Sequence, residues 1–123
     1  MVQPSCPALV IHHDDAFRRK LIAELDQNHF SVTAVDDGDQ AIDQLSKRRF
    51  SVVIIGLNLT TGLGKRSLEF LRSDRERIKC GILILGDSDP AVRTYATWVD
   101  ETFLKPVDAA YVVTRARAYC MCA

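Results

Sequence analysis

Residues 50–59, FSVVIIGLNL, decide the fold of this 123-residue chain. Between Ser51 and Ile55 the run is apolar without alternation, which is what a strand covered on both faces requires. It then meets Gly56 and a loop, where an open α/β sheet commonly displays its ligand-contacting side chain. Two more runs have the same character, ALVI (8–11) and GILIL (81–85), and two further strands fit SVTAV (31–35) and TFL (102–104), the second short enough to be an edge.

The segments between these strands carry helical spacing. DDAFRRKLIAELDQN places Phe17, Leu21, Ile22 and Leu25 on one stripe, and DGDQAIDQLSKRR does so through Ala41, Ile42 and Leu45. A third helix fits KRSLEFLRSD through Leu68 and Leu71, and a fourth fits DSDPAVRTYATW, with Ser88 or Asp89 as cap and Pro90 in the first turn. The last, DAAYVVTRARAY, has a stripe through Tyr111, Val112 and Ala116. The pattern is βα repeated five times, an α/β fold with a parallel sheet and five helices. The length suits one domain over 1–123, with its core at about 8–119.

Sixteen basic residues balance sixteen acidic ones, so no net field draws the chain to nucleic acid or to an anionic membrane. The SKRR cluster (46–49) reads as a solvated helix end favoured by the helix dipole. No apolar run approaches the ~20 residues that span a bilayer, and the opening MVQPSCPALV has neither a basic leader nor a long apolar core. The expectation is a cytoplasmic protein. Cys6, Cys80, Cys120 and Cys122 form no CxxC pair and are read as buried or incidental thiols, with the terminal CMC a weak soft-metal candidate.

With KP after the fifth strand, AFRR opening the first helix and LNL leaving the third strand, the chain resembles the response-regulator receiver domain, the flavodoxin-like CheY family. The resemblance covers about Ala8 to Tyr119. It implies a doubly wound sheet of order 2-1-3-4-5 with its site at the carboxyl ends of the strands. In that family an aspartate ending the third strand accepts a phosphoryl group. An acidic pair after the first strand holds Mg²⁺, and a Thr or Ser ending the fourth strand and a Lys near the end of the fifth contact the phosphoryl oxygens.

Carried across residue by residue, the phosphoacceptor position falls on Gly56, the acidic pair on His12 and His13, and the hydroxyl position on Gly86. Asp14 and Asp15 come two residues late; only Lys105, followed by Pro106, survives. Imidazoles are poor Mg²⁺ ligands, so no Mg²⁺ or other cofactor is expected, nor enzymatic activity. The expected function is that of a phosphorylation-independent pseudo-receiver, a protein interaction module in bacterial signal transduction.

Two alternatives stay open: an anion or small ligand held in the vacated pocket near Lys105, and a metal or pH sensor built on His12 or His13 with Asp14. Adjacent at a strand end, His12 and His13 are expected to point to opposite faces as polar loop residues. Lys105 is expected to pair with Asp14 or Asp87, and the family makes its Lys-Pro step cis. The loop TTGLG (60–64) departs from the family's pattern, so a different path is expected there. The family's mobile aromatic on the fifth strand falls on Thr102. Tyr95, Trp98, Thr102 and Tyr111 mark a candidate interaction face on the fourth helix, fifth strand and fifth helix, for a protein partner or for self-association, with Trp98 equally readable as core.

Overall fold

The computed structural model describes residues 5–35, 38–58, 62, 64–75 and 78–120. The strands are β1 (Cys6–Ile11), β2 (Phe30–Val35), β3 (Val52–Leu57), β4 (Gly81–Gly86) and β5 (Glu101–Leu104). They alternate with α1 (Asp15–Gln27), α2 (Gly38–Lys47), α3 (Lys65–Ser73), α4 (Asp89–Tyr95) and α5 (Ala109–Ala116), and a 3₁₀ turn follows at Arg117–Tyr119. All strand pairs are parallel and the order is β2-β1-β3-β4-β5, as expected.

The unbroken apolar runs are explained by two cores, one on each face of the sheet. Leu9, Ile11, Val53, Ile55, Ile82 and Ile84 pack against Ala41 and Leu45 of α2 and Leu68 and Leu71 of α3. The residues between them, Ala8, Val10, Val52, Ile54, Leu83 and Leu85, pack against Leu21 and Leu25 of α1 and Val112, Val113 and Ala116 of α5. Because successive side chains point to opposite faces, a strand sandwiched in this way must be apolar at every position.

Caps fix the helix starts. The Asp14 carboxylate accepts the Phe17 amide at 3.2 Å, and the Asp108 carboxylate accepts the Ala110 amide at 3.2 Å. Ser88 takes the N-cap position of α4 and Pro90 its first turn.

Several expectations need correction. The third strand does not stop at Gly56: it continues to Leu57, and Gly56 is paired in register with Leu85. The α4 helix ends at Tyr95, where the Ala96 amide bonds to the Arg93 carbonyl at 3.4 Å, three residues back instead of four. On α5 the buried stripe is Ala109, Val112, Val113 and Ala116, and Tyr111 lies off it. The start of the second helical segment at Asp37, the path at Thr60 and Thr61, and Cys122 lie outside the described residues.

The thiols are not all incidental. Cys6 and Cys120 form a disulfide, with Cα atoms 5.5 Å apart, which joins the start of β1 to the residue after the terminal 3₁₀ turn. Cys80 is free and half-buried, and burial pushes its thiol up to about 11.

Candidate functional site

The carboxyl ends of β1, β3, β4 and β5 converge on His12, Gly56, Gly86 and Lys105. His12 immediately follows β1, and its amide bonds to the Val35 carbonyl at 3.2 Å, so the residue stays attached to the sheet. Its side chain turns inward and is 1 % exposed. The ring lies against Gly56: a Cβ built on Gly56 would sit 2.5 Å from His12 Cδ2 and 2.9 Å from Nε2. His12 thus fills the space that a side chain at position 56 would need.

From the other side Gly64, at φ +89° before α3, closes on the Gly56 carbonyl, where a Cβ would collide with the backbone. Position 64 requires glycine for that approach and for its left-handed backbone. Gly56 is held between an imidazole and a backbone turn.

The His12 ring is anchored at both nitrogens. Nδ1 accepts the Asp14 amide at 3.0 Å, and Nε2 lies 2.6 Å from Lys105 Nζ. A neutral imidazole has one proton, so its two nitrogens cannot both accept, and the donor and acceptor roles in the Nε2 contact with Lys105 follow from the tautomer. Burial lowers the Lys105 pKa, opposed by the Asp14 and Asp87 carboxylates. Burial first, then the charges of Lys105 and His13, push His12 down to about 4. Lys105 also lies 5.5 Å from the centroid of Phe17, and its amide bonds to the Gly86 carbonyl at 2.9 Å. The Lys105–Pro106 peptide is cis.

The two histidines do not diverge. Their rings stack at 5.0 Å with 8° between planes, His12 buried and His13 exposed, because the chain leaves strand geometry after Ile11 and side-chain alternation no longer applies. His12 is therefore a core residue, not a polar loop residue. Among the described residues no three His, Cys, Asp or Glu side chains gather as a metal site.

A cavity of about 390 Å³ opens beside Lys105, walled by Phe17, Pro106 and Val107 with Asp14 and Asp87 at its rim. It is separate from the space that His12 fills. Asp14 is exposed, and the backbone amide of Phe17 holds its carboxyl below the usual range.

The expected interaction face is partly rearranged. Tyr95 is 5 % exposed and packs in the core. Trp98 is half-buried, edge-on to Tyr95 at 6.3 Å, and has the Arg72 guanidinium of α3 at 5.9 Å from its ring. Trp98 thus turns toward α3. What remains exposed is Thr102, Leu104 at 49 % and Tyr111 at 55 %. Tyr111 stands edge-on to Phe103 at 5.8 Å. Leu104 was missed in the sequence because a leucine in a short strand reads as core; its exposure follows from β5 being the sheet edge.

The His12 environment makes stability pH-dependent. Its folded pKa of about 4 lies below the unfolded 6.5, so the unfolded chain binds more protons between these values. The contribution of neutral His12 is complete above pH ~6.5 and is lost as pH falls toward ~4, by about 3 kcal/mol. Urea midpoints of wild type and His12→Asn, measured from pH 7 to pH 4, isolate it: the wild type loses more stability than the variant by that amount. Parallel pH curves for the two would count against a buried neutral His12.

A five-stranded, doubly wound parallel sheet with its polar cluster at the carboxyl strand ends defines a receiver-type α/β domain. The chain belongs to the response regulator receiver domain family, which it matches over residues 8–117. Among solved structures it is similar to a sensor protein from Polaromonas sp. JS666, with 20 % identity, TM-score 0.80, and 95 % of this chain and 97 % of that one covered. It is similar also to the receiver domain of the Francisella response regulator 1452, at 19 % identity and TM-score 0.80, covering 94 % and 96 %. A CheY-like receiver domain from Methylobacillus flagellatus matches at 19 % identity and TM-score 0.77, covering 94 % and 99 %. No curated protein matches the sequence. Among the described residues no helix is long and apolar enough to cross a membrane.

Proposed function

We propose that this receiver domain works without phosphorylation, as a protein interaction module of bacterial signal transduction. The observation that carries the reading is the His12 ring lodged against Gly56, in the space of the missing phosphoacceptor. Position 56 supplies no carboxylate, and Gly86 supplies no hydroxyl. The acidic pair is replaced by two stacked imidazoles, a poor set for Mg²⁺, which prefers oxygen ligands. Without a covalent switch, output has to come from contacts that differ between states. The exposed Thr102, Leu104 and Tyr111 on β5 and α5 offer the apolar surface for such contacts.

The reading in which an anion occupies the vacated pocket is weakened by His12 filling it and by Asp14 and Asp87 beside Lys105. A metal sensor on His12 would have to displace the Asp14 amide and Lys105 from its two nitrogens.

The test is incubation with acetyl phosphate, and separately with beryllofluoride, in the presence of Mg²⁺. Intact mass is expected to show no adduct, and amide NMR shifts around Gly56 and Lys105 are expected to stay in place. A stoichiometric phosphoryl adduct on an aspartate would overturn the proposal. Crosslinking of the same samples is expected to give a self-association or partner product that Tyr111→Ala weakens; its indifference to Tyr111 would remove the β5–α5 face from the account.

A further inference from the structure

We infer that the pole of the domain opposite His12 and Lys105 carries a binding site for a nucleoside phosphate. A cavity of about 510 Å³ opens there, between the end of α2 and the segment that leads into β4. Its floor is apolar, made by Leu45, Phe50 and Ile78, while its rim carries four cations, Lys47, Arg48, Arg49 and Lys79. Among the described residues no carboxylate lines it. In a chain whose charges balance at sixteen of each sign, this is a local excess.

The four cations differ in how far they are committed. Lys47 is held by Asp43 at 3.1 Å along α2. Arg48 donates from Nη1 to Thr33 Oγ1 at 3.1 Å and lies 5.5 Å over the Phe50 ring. A guanidinium placed over an aromatic ring offers a nucleobase a planar, cationic partner to stack on. Arg49 and Lys79 make no ion pair or side-chain hydrogen bond among the described residues, so both are available to phosphate oxygens.

The carbonyl end of α2 would by itself repel an anion, but Lys47 and Arg48 lie on that end and offset it. The wall at Cys80 is fixed, because its carbonyl accepts Arg75 Nη1 at 3.0 Å. The raised pKa of its thiol keeps the group neutral beside a bound phosphate.

The dimensions select the ligand class. The volume lies within the ~300–1,000 Å³ typical of small-molecule sites and is far more than a bare phosphate needs. The apolar floor would be wasted on an inorganic anion, whereas a base on the floor with its phosphates at the rim uses both surfaces. The inference is independent of the phosphorylation reading, since it concerns the other end of the sheet.

Amide NMR titration of the intact chain with AMP, ADP and GMP tests it, with adenosine and pyrophosphate as controls. Saturable shifts are expected at residues 45–50 and 78–80. Arg49→Ala/Lys79→Ala, both at exposed positions, is expected to weaken binding at least about tenfold with the melting temperature unchanged. Adenosine and pyrophosphate are each expected to bind more weakly than ADP. The site is overturned if no nucleotide shifts these amides, if the shifts fall at His12 and Lys105 instead, or if the double variant binds as tightly as wild type. Pyrophosphate binding as tightly as ADP would overturn the base-stacking part and with it the ligand class.

Discussion

Gly56→Asp, the substitution that would put a carboxylate at the position the family resemblance assigns to the phosphoacceptor, is expected to destabilise the domain by about 3–5 kcal/mol and, on the proposed reading, to leave it unphosphorylated. The first methylene would meet the His12 ring at 2.5 Å, so the ring must leave a fully buried position or the strand must shift. Overpacking of this kind costs about 1–3 kcal/mol by itself. The carboxylate adds a desolvation cost, and the cation that could offset it, Lys105, is engaged by the same ring. Removing the obstacle reverses the sign of the interaction. In His12→Ala/Gly56→Asp the carboxylate gains room and faces Lys105, so the double variant should be more stable than the sum of the two single changes by at least about 1 kcal/mol. Urea unfolding of the four proteins in the cycle measures this coupling. Additive effects, or a Gly56→Asp protein as stable as wild type, would show that His12 does not fill the site.

That prediction draws on both the legible and the illegible parts of the sequence. Strand positions and sheet order were readable because burial on both faces leaves a sequence mark, the unbroken runs at Ala8–Ile11, Ser51–Ile55 and Gly81–Leu85. That glycines stand at 56 and 86, where the resemblance places a carboxylate and a hydroxyl, is a reading that rests on alignment to the family pattern alone. The inward turn of His12 could not. It depends on whether the chain keeps strand geometry one residue past Ile11, and no local pattern fixes that. A histidine next to a histidine carries no burial signal, while Gly56 and Lys105, the residues that make burial possible, stand 44 and 93 positions away in sequence.

The same reasoning explains Trp98 and the basic cavity. A tryptophan after a short helix is equally compatible with core and surface until the helix end is known; with α4 ending at Tyr95, the ring falls against α3. The SKRR cluster looked like a solvated helix end because its apolar floor is contributed in part by Ile78, which arrives from another βα unit. Nor does spacing identify the Cys6 and Cys120 pair. Closure of the fold brings residues 114 positions apart together, and only the sheet order with α5 packed near α1 makes that closure visible.

Opening that disulfide is expected to have an effect as large as the substitution at Gly56. The bridge closes nearly the whole chain, and in the loop-entropy account a crosslink over more than ~100 residues stabilises the folded state by about 5 kcal/mol, acting mainly on the unfolded ensemble. On the folded side the last turn has other anchors. Tyr119 Oη donates to Glu101 at 2.8 Å, and the Tyr119 ring lies on Gly81, where a Cβ would collide with it. Arg115 joins the same Glu101 at 2.7 Å. The reduced protein should therefore keep its fold at neutral pH while its urea midpoint drops in proportion to the lost free energy, with the m-value rising as the unfolded chain expands. Cys6→Ser should reproduce the reduced midpoint and be insensitive to added reductant. An equal midpoint for oxidised and reduced wild type would refute the stabilising role. Because α5 carries Tyr111 on the proposed interaction surface, the bridge also links the thiol state of the chain to the helix that presents that surface. In a reducing compartment, where such bridges are rare, the last turn would keep its contacts with Glu101 and Gly81 and α5 its packed stripe, without the covalent tie. Partner binding through β5 and α5 should then be weaker in reductant, by an amount that Cys6→Ser abolishes.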